Sequence, residues 1–311
     1  MKKDLLSIGD LSLTDINAIF KLGAQLKRNR KKFARSLSGK TLALIFQKPS
    51  NRTRVSFEVG MYQMGGNSLY LSPQEINLGV RETIGDVAKT ISRYVDGIVI
   101  RTFEHKNCLD MAEAASVPVI NGLSDFSHPC QALADLFTIR ERLRDLRKVT
   151  LAYVGDGNNV CNSLLLAAAK TGMHIFVATP KGYSPEEKVV KDALEAAKET
   201  GGRVTIGEDP LEAVKRAQVV YTDVWASMGQ EEEINKRKVI FKDYQINARL
   251  LSHAVKDILV MHCLPAHRGE EITDEVMESR NSIVFDQAEN RMHAQKAVLI
   301  KLLGKKYRER K

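Results

Sequence analysis

Cysteine is scarce in this sequence, and its spacing excludes two kinds of scaffold. The 311 residues include four cysteines, and no two of them form a C-x-x-C pair. Zinc clusters and disulfide frameworks are recognised by closely spaced cysteines, so neither is expected. Each cysteine is instead expected to be a small buried hydrophobe. The four are Cys108, Cys130, Cys161 and Cys263.

Long apolar runs are also missing. No stretch approaches the ~20 apolar residues of a membrane span, and the opening segment 1–6 has no apolar core of a secretory signal. These absences predict a cytoplasmic protein with no membrane partner. With 43% hydrophobic and 27% charged residues, the chain can bury a large core and is expected to form about two domains.

The charge of the chain is basic but not concentrated. The formal net charge is +9, from 47 lysines and arginines against 38 acidic residues. The two signs are interspersed except in the tail 305–311, so nucleic acid is not expected as a partner. That tail is typical of a solvated helix end, where cations suit the helix dipole. A small anionic substrate is compatible with this balance.

A strand followed by a basic corner is the most informative feature. The apolar run 41–46 predicts a buried strand, and Pro49 with Ser50 predicts a helix start with Ser50 as N-cap. A helix N-terminus carries free N–H groups and partial positive charge, so Arg52 and Arg54 oppose the dipole unless an anion binds there. The corner therefore predicts a phosphate site.

The first half of the chain alternates strands with helices. In chain order we predict a helix over 14–36, strands 41–46 and 67–71, a helix over 82–94, strands 98–100 and 117–120, and a helix reaching about 144. Arg101 follows a strand, where groups that bind ligands lie in open α/β sheets, so it is a second candidate for the anion. His128 and Gln131 share a helix face and can donate to one carbonyl oxygen.

The second half repeats this alternation, which predicts a second doubly wound sheet. The predicted strands are 149–154, 174–178, 203–206, 219–222 and 258–261, and the predicted helices are 160–171, 185–200, 210–217 and a last helix to about 303. The fold class is therefore α/β, with two doubly wound domains, each a mostly parallel sheet flanked by helices. The charged run 140–148 marks the passage between them.

A glycine turn follows the strand at 149–154. Gly155 and Gly157 give the start of a nucleotide fingerprint, but the third glycine is missing and the next strand ends at Ala178 without an acidic ribose ligand. A dinucleotide is therefore not expected. Asp223 and Cys263 also follow predicted strands, so polar groups line the carboxyl edge of this sheet.

Taken together, these corners resemble the aspartate/ornithine carbamoyltransferase family. The matching motifs are Ser50 to Arg54, Arg101, His128 to Gln131, Asp223 with Ser227-Met228-Gly229, His262 to Pro265, and Glu289 to Arg291. They span nearly the whole chain in the family's order. The resemblance implies that a carbamoyl group passes from carbamoyl phosphate to L-ornithine, giving L-citrulline and phosphate in arginine biosynthesis. It implies no metal and no cofactor.

The resemblance also implies the domain organisation and the assembly. A carbamoyl phosphate-binding domain is expected over 1–146, completed by the C-terminal helix at 287–311, with an ornithine-binding domain over 147–286. The family further implies a homo-oligomer that is a trimer or a multiple of trimers.

Site residues follow from the resemblance position by position. Phosphate is assigned to Ser50, Asn51, Arg52, Thr53 and Arg101. The carbamoyl group is assigned to Thr53, Arg101, His128, Gln131, Cys263, Leu264 and Arg291. L-ornithine is assigned to Asn159, Asp223, Ser227 and Met228. Of these residues, Arg101, His128 and Cys263 are expected to be catalytic, with Arg101, His128 and Thr53 donating to the carbonyl oxygen as it gains charge.

Two positions depart from the family pattern. Asn51 stands where the family usually has a second hydroxyl residue, but its side-chain amide can still donate. The loop 72–82 normally supplies a glutamine or histidine to a neighbouring subunit's site, and Asn77 occupies that place here. Asn77 is therefore a possible cross-subunit residue.

Four alternatives remain at this level. Aspartate is the alternative substrate within the family, but Asp223 would repel a dicarboxylate that needs cationic partners. Transferases of acylated ornithine fit less well, because the Ser227-Met228-Gly229 and Cys263 pattern suits free ornithine. A Rossmann-type dehydrogenase would bind a nicotinamide cofactor. A non-catalytic module would bind phosphate without turnover.

Overall fold

The computed structural model describes residues 1–226 and 231–304. The chain forms two compact units. Unit 1 comprises Met1–Phe137 together with the C-terminal part from Glu289, and unit 2 comprises Thr138–Ala288. Among the described helices, none is both long and apolar enough to cross a membrane.

Unit 1 contains four described strands and most of the N-terminal helices. The strands are β1 (Thr41–Phe46), β2 (Asn67–Leu71), β3 (Gly97–Arg101) and β4 (Val119–Leu123). The helices are α1 (Leu13–Arg28), α2 (Asn51–Gln63), α3 (Pro73–Ile76), α4 (Ile84–Ile91), α5 (His105–Ala114) and α6 (Pro129–Leu143), whose end lies in unit 2. Short 3-10 helices occupy Ile8–Asp10 and Arg30–Phe33.

The sheet of unit 1 is parallel and has the order β2-β1-β3-β4 over the described residues. The chain places β2 on one side of β1 and β3 on the other, so the strand order reverses between β1 and β3. Phe46 and Arg101, the last residues of these two strands, are register partners. Ligands of open α/β sheets bind outside the carboxyl ends at such a reversal. The corner after β1 and the end of β3 therefore share the position where a ligand is expected.

Helices cover this sheet and account for its apolar strands. All five residues of β3 are buried, as expected for a parallel strand with both faces covered. On one face Ile45 and Ile98 pack in a cluster with Val87 of α4 and Met111 of α5. The positions of β1 and β3 were recognisable because continuous apolar runs of this length are typical of buried strands.

Several predicted elements have different bounds in the structure; for example, the helix predicted over 210–217 is Pro210–Val214, and the strand predicted over 117–120 is Val119–Leu123. The helix predicted over 14–36 spans Leu13–Arg28, capped by Ser12, whose side chain accepts from the backbone of Asp15. It ends because Asn29 leaves helical geometry at φ −139° and its side chain caps the following 3-10 turn. The helix predicted over 82–94 spans only Ile84–Ile91, capped by Thr83.

Helix α5 was not predicted. It buries only two side chains, those of Cys108 and Met111, and its N-cap residue Glu104 makes no side-chain cap. A short helix with two buried positions and no capping residue carries little periodic signal.

Unit 2 repeats the strand-and-helix alternation. Its described strands are β5 (Thr150–Val154), β6 (His174–Ala178), β7 (Arg203–Gly207), β8 (Val219–Thr222) and β9 (Leu259–His262). Its described helices are α7 (Asn159–Thr171), α8 (Glu187–Thr200), α9 (Pro210–Val214), α10 (Ile234–Ile240), α11 (Ala248–Leu251) and α12 (Asp274–Met277). The last helix, α13 (Val284–Leu303), begins in unit 2 and continues into unit 1. Short 3-10 helices occupy Leu146–Lys148, Glu231–Glu233 and Lys242–Tyr244.

The sheet of unit 2 is also parallel, with the order β7-β6-β5-β8-β9 over the described residues. Here the strand order reverses between β5 and β8. The turn after β5 and the segment after β8 are therefore expected to hold a ligand, by the same rule that applies to unit 1. The predicted fold of two doubly wound parallel domains is confirmed.

Candidate active site

The corner after β1 is built around the start of α2. Ser50 is the N-cap, as predicted, and its Oγ accepts from the backbone N–H of Thr53 at 3.3 Å. Arg54 is engaged by the protein itself, since its Nε donates to Glu58 at 3.0 Å and its guanidinium lies 3.8 Å from the ring centre of Tyr70. The two arginines of this corner therefore have different surroundings, and Arg52 is the half-buried one.

Three arginines act on one buried histidine in unit 1. His128 is 5% exposed and directly precedes α6, and Arg101 at the end of β3 is also buried. Burial, followed by the charges of Arg291, Arg101 and Arg52, holds the pKa of His128 well below its usual value of 6.5. His128 is therefore neutral at neutral pH and can donate an N–H to an acceptor. We call the three arginines Arg52, Arg101 and Arg291 the cation cluster.

Arg291 of α13 ties the cation cluster to the corner after β1 and to α6. Its Nη2 donates to Thr53 Oγ1 at 3.1 Å, and its Nη1 donates to the amide oxygen of Gln131. Gln131 Nε2 in turn donates to Asp135 at 2.7 Å. Because the Thr53 oxygen accepts from Arg291, its own proton is directed to another acceptor. The second hydrogen of Gln131 Nε2 is similarly oriented by the bond to Asp135.

The electrostatics of this cluster suit a multiply charged anion. The guanidinium groups of Arg52, Arg101 and Arg291 and the N-terminal dipole of α2 all attract negative charge, and each guanidinium offers planar donors. A phosphate ester with an adjacent carbonyl matches both the guanidinium groups and the neutral imidazole. Asp135 was not singled out from the sequence, although its place four residues after Gln131 on a helix is a signal for that pairing.

Unit 2 gathers a second group of polar side chains around Asp223. This carboxylate follows β8 and is 6% exposed. Its Oδ2 accepts from Asn158 Nδ2 at 2.8 Å, and its Oδ1 accepts from the Cys263 thiol at 2.9 Å and from the backbone N–H of Val224 at 2.8 Å. We call Asp223, Asn158 and Cys263 the Asp223 cluster.

Asn158 is a residue that the sequence analysis missed. Its Oδ1 caps α7 by accepting from the backbone N–H groups of Val160 and Cys161 at 3.0 and 3.1 Å. Its Nδ2 is thereby turned toward Asp223. The predicted Asn159 lies next to it, 9% exposed, as the first residue of α7. Asparagine before a predicted helix was the available signal for the cap.

The glycine turn after β5 is filled by the protein's own backbone. Gly157 N–H donates to the carbonyl of Tyr183 at 2.9 Å, and a Cβ at Gly157 would lie only 2.3 Å from the backbone nitrogen of Pro185. In dinucleotide-binding proteins the second glycine admits the pyrophosphate. Here the segment 183–185 occupies that approach, which argues against the dehydrogenase alternative.

The segment after β9 is held by a fully buried histidine. Nδ1 of His262 accepts from the backbone N–H of Leu264 at 2.8 Å, so the ring carries its proton on Nε2, which donates to Glu271 at 3.0 Å. Glu271 Oε1 also accepts from the backbone N–H of His267 at 2.6 Å. Leu264 has φ +60°. These bonds hold the turn that carries Cys263.

Metal-binding potential in this region is limited by the protein's own contacts. Asp223, His262 and Cys263 offer ligand atoms within 4.8 Å of one another. Both ring nitrogens of His262 are engaged, by Leu264 and Glu271, and the Cys263 thiol donates to Asp223. A metal would have to displace these bonds, so the donor set does not fit a resident ion.

The remaining predicted residues fall in three places. Asn51 is the exposed first residue of α2. Asn77 is exposed at the C-terminal end of α3 with φ +40°, a left-handed conformation that asparagine tolerates. Ser227 and Met228 lie outside the described residues.

Comparison with protein families gives two matches that together cover nearly the whole chain. Residues 3–141 match the carbamoyl-P binding domain of aspartate/ornithine carbamoyltransferase. Residues 147–302 match the Asp/Orn binding domain of the same family.

Individual relatives are similar over nearly their full length. An ornithine carbamoyltransferase from Thermococcus kodakarensis is 55% identical over 304 residues, which cover 97% of this chain and 96% of the relative. A relative from Pyrococcus furiosus described as ornithine carbamoyltransferase, anabolic, is 55% identical over 97% of this chain and 96% of its own. Among solved structures, ornithine carbamoyltransferase from Pyrococcus furiosus has a TM-score of 0.94 at 55% identity, covering 96% of each chain.

Proposed function

The chain belongs to the aspartate/ornithine carbamoyltransferase family, and we propose that it transfers the carbamoyl group of carbamoyl phosphate to the side-chain amine of L-ornithine. The products are L-citrulline and phosphate. The observation that carries the choice of ornithine is the buried Asp223 carboxylate after β8, because an acidic group suits an amino acid that carries ammonium groups. The same carboxylate would repel aspartate.

Carbamoyl phosphate is proposed to bind at the corner after β1 and the cation cluster. Ser50, Asn51, Arg52, Thr53 and Arg101 hold the phosphate, with Arg52 stabilising it as the leaving group. We assign the carbamoyl group, as the family resemblance implies, to Thr53, Arg101, His128, Gln131, Cys263, Leu264 and Arg291. The convergence of three arginine charges on the neutral His128 supports this assignment.

L-ornithine is proposed to bind at Asn159, Asp223, Ser227 and Met228. Asp223 pairs with the α-ammonium group, so that the side chain extends toward the carbamoyl carbon. Asn158 and Cys263 each donate to Asp223 and leave the carboxylate in a defined orientation. The bond from Cys263 to Asp223 supports a position of this thiol beside the bound amino acid.

The reaction balances without a covalent enzyme intermediate. The neutral side-chain amine attacks the carbonyl carbon, the new C–N bond forms, and the C–O bond to phosphate breaks. One amine proton leaves with phosphate or solvent. Negative charge that grows on the carbonyl oxygen is stabilised by Arg101, His128 and Thr53, and donors preorganised in this way typically contribute about 10²–10³ in rate each.

The protonation state of the amine sets the expected pH dependence. A lysine-like amine has a pKa of roughly 10 in water, so most of it is protonated at neutral pH. Only the neutral form attacks, and kcat/KM for ornithine is therefore expected to rise from neutral toward alkaline pH. A flat profile over that range would contradict the role given to the neutral amine.

The decisive experiment is a citrulline assay with carbamoyl phosphate and each of three amines. We expect product from L-ornithine and none from L-aspartate or L-lysine. Product from aspartate would indicate an aspartate carbamoyltransferase instead. Phosphate binding without turnover would support a non-catalytic binding module. The fluorescence of a reduced nicotinamide cofactor tests the dehydrogenase alternative. We expect it to stay unchanged when the protein is added, and a change would indicate cofactor binding.

Substitution of Asp223 tests the ornithine assignment. Asp223→Asn is expected to lower kcat/KM for ornithine by about 10²-fold, as for a buried charge-assisted bond, while carbamoyl phosphate affinity is retained. Cys263→Ala is expected mainly to weaken ornithine use. Asp192→Asn, which alters an exposed carboxylate on α8 of the same unit, serves as the control. Wild-type kinetics in both Asp223→Asn and Cys263→Ala would overturn the assignment.

The proposal extends to a biosynthetic role in the cytoplasm. What supports arginine biosynthesis is the description of the Pyrococcus furiosus relative as anabolic. Growth of an arginine auxotroph that lacks its own ornithine carbamoyltransferase, restored by this chain, would test that role. Failure of an active enzyme to restore growth would count against it.

A further inference from the structure

Helix α10 buries one charged side chain. Arg237 is 6% exposed, and among the described residues of α10 it is the buried one. Its guanidinium makes three polar contacts: with Asp156 Oδ2 at 3.1 Å, with the carbonyl of Trp225 at 2.8 Å, and with Glu233 at 2.9 Å. A planar guanidinium can hold several acceptors in a fixed relative orientation, which an ammonium does not do.

Two of these contacts fall on the segments that place Asp223. Trp225 is two residues after Asp223 on the same segment. The bond from Arg237 to the Trp225 carbonyl therefore fixes the backbone of the segment after β8 close to Asp223. Asp156 belongs to the turn after β5, and its backbone carbonyl accepts from the Asn158 N–H at 2.8 Å. Asn158 Nδ2 then donates to Asp223 at 2.8 Å. Arg237 therefore contacts both segments that meet at Asp223.

The turn itself is further restrained near Asp156. The hydroxyl of Tyr153 donates to the Asp156 carbonyl at 2.8 Å. The guanidinium of Arg237 also lies 4.9 Å from the ring centre of Tyr183, whose carbonyl accepts from Gly157. Tyr153 thus binds the backbone carbonyl of Asp156, whereas Arg237 binds and orients its side-chain carboxylate. The ion pair thus joins α10 to the turn.

The energetics of this pair favour a role in geometry. Asp156 and Arg237 are 7% and 6% exposed, and the desolvation of such a pair offsets much of its Coulomb attraction. A well-packed apolar pair of similar volume would often give equal or greater stability. What an ion pair adds is directional bonding to Trp225 and Asp156, which an apolar pair lacks.

We propose that Arg237 is a positioning residue for L-ornithine, which holds the turn after β5 and the segment after β8 in the relation that orients Asp223. The inference rests on the proposed function, because it concerns the binding of that substrate. Arg237 acts through Asp156, Asn158 and the chain at Trp225, and it does not touch the amino acid itself.

The test compares Arg237→Gln and Arg237→Lys with Lys236→Gln, which alters the exposed neighbour of Arg237 on the same helix. In Arg237→Gln we expect KM for ornithine to rise about tenfold or more, with KM for carbamoyl phosphate within about twofold of wild type. Arg237→Lys is expected to be intermediate, since lysine keeps the charge without the planar fork. Lys236→Gln is expected to match wild type.

In Arg237→Gln the buried carboxylate of Asp156 loses its partner, which could by itself prevent folding. A second variant keeps the test valid in that case. Asp156→Asn/Arg237→Gln leaves no charge of this pair buried, so it is expected to melt higher than Arg237→Gln alone. Its KM for ornithine is expected to remain raised, because the orientation of the two segments is still lost. A purely structural role predicts instead that stability and KM recover together.

Two results would overturn the inference. One is an unchanged KM for ornithine in folded Arg237→Gln or in the double variant. The other is an equal rise in KM for both substrates, which would indicate a general disturbance of the protein. The citrulline assay on the wild-type protein distinguishes failure of this inference from failure of the proposed function. If the wild type forms citrulline, the proposed function stands whatever the Arg237 variants show.

Discussion

Arg52 and Arg54 stand two positions apart at the start of α2, and their surroundings assign them different roles. Arg54 pairs with Glu58 and lies on the ring of Tyr70. Such an exposed pair is worth about 0.3–0.5 kcal/mol on a helix, so its effect is local. Arg52 belongs to the cation cluster, whose charges act on His128. A pair of matched substitutions separates the two roles.

Arg52→Ala is expected to abolish carbamoyl phosphate binding and to leave the fold intact, because we place this residue in the proposed anion site and not in the core. Arg54→Ala is expected to retain that binding and to lose no more than about 0.5 kcal/mol of stability. Titration calorimetry with carbamoyl phosphate, together with thermal melting, measures both. Unchanged affinity in Arg52→Ala would remove the basis for the phosphate site.

His128 is expected to act as a neutral donor over the whole working range of pH. Its lowered pKa means that protonation occurs only below the usual 6.5, so no step from this residue is expected in kcat between pH 6.5 and alkaline values. His128→Ala is expected to lower kcat about 10²–10³-fold, and His128→Gln, which keeps an N–H donor, to lower it less. Nitrogen-15 spectra of the imidazole give the protonation state directly. An imidazolium at pH 7 would disprove this role.

At the scale of elements, the turn after β9 is held by hydrogen bonds to the carboxylate of Glu271. Glu271 is fully buried, and its Oε1 accepts both from His262 and from the backbone of His267. His262 in turn accepts from the Leu264 backbone. The conformation around Cys263 is therefore expected to require an acceptor at position 271 more than a negative charge.

Glu271→Gln and Glu271→Ala test this expectation. Glutamine can keep the accepting oxygen, so Glu271→Gln is expected to change the free energy of unfolding by less than about 1 kcal/mol. Glu271→Ala leaves the buried His262 Nε2–H and the part-buried His267 N–H without their acceptor and is expected to cost about 2–4 kcal/mol. Urea unfolding measures the difference, and ornithine KM in the alanine variant reports the displaced Cys263. Equal losses in the two variants would show that the charge itself is needed.

For the whole molecule, we keep the prediction of a trimer, or a multiple of trimers, with a shared site. Asn77 is exposed, and its left-handed conformation ends α3 in the loop 72–82, where the resemblance implies a cross-subunit residue. Analytical ultracentrifugation is expected to give a mass that is a multiple of three times 34.8 kDa.

Complementation tests the role of Asn77. Asn77→Ala and Arg101→Ala are each expected to be inactive, because one removes the proposed shared residue and the other a proposed donor to the carbonyl oxygen. Mixed trimers are expected to recover part of the activity, since some sites then draw an intact residue from each kind of chain. Confirmed mixed trimers without activity would exclude the shared role.

The sequence alone determined the features that depend on neighbouring residues. The apolar run of β1 and the capping side chain of Ser50 are local patterns, so they predicted the corner after β1, which we propose as an anion site. The same holds for the strands of unit 2 and for Asp223 at the end of β8. Boundaries such as the end of α1 at Arg28 were less accurate, because a single capping residue, Asn29, decides them.

Only the tertiary structure decided which distant side chains meet. Arg291 of α13 bonds to Thr53 and Gln131, and Arg237 of α10 bonds to Asp156 in the turn after β5, because the fold packs these remote segments together. Arg291 and Arg237 each lie in a helix whose periodicity indicates the buried face but not the partner. Sequence periodicity is set by one element, whereas a hydrogen bond between elements depends on the packing of both, and for that reason these partners could not be read from the sequence.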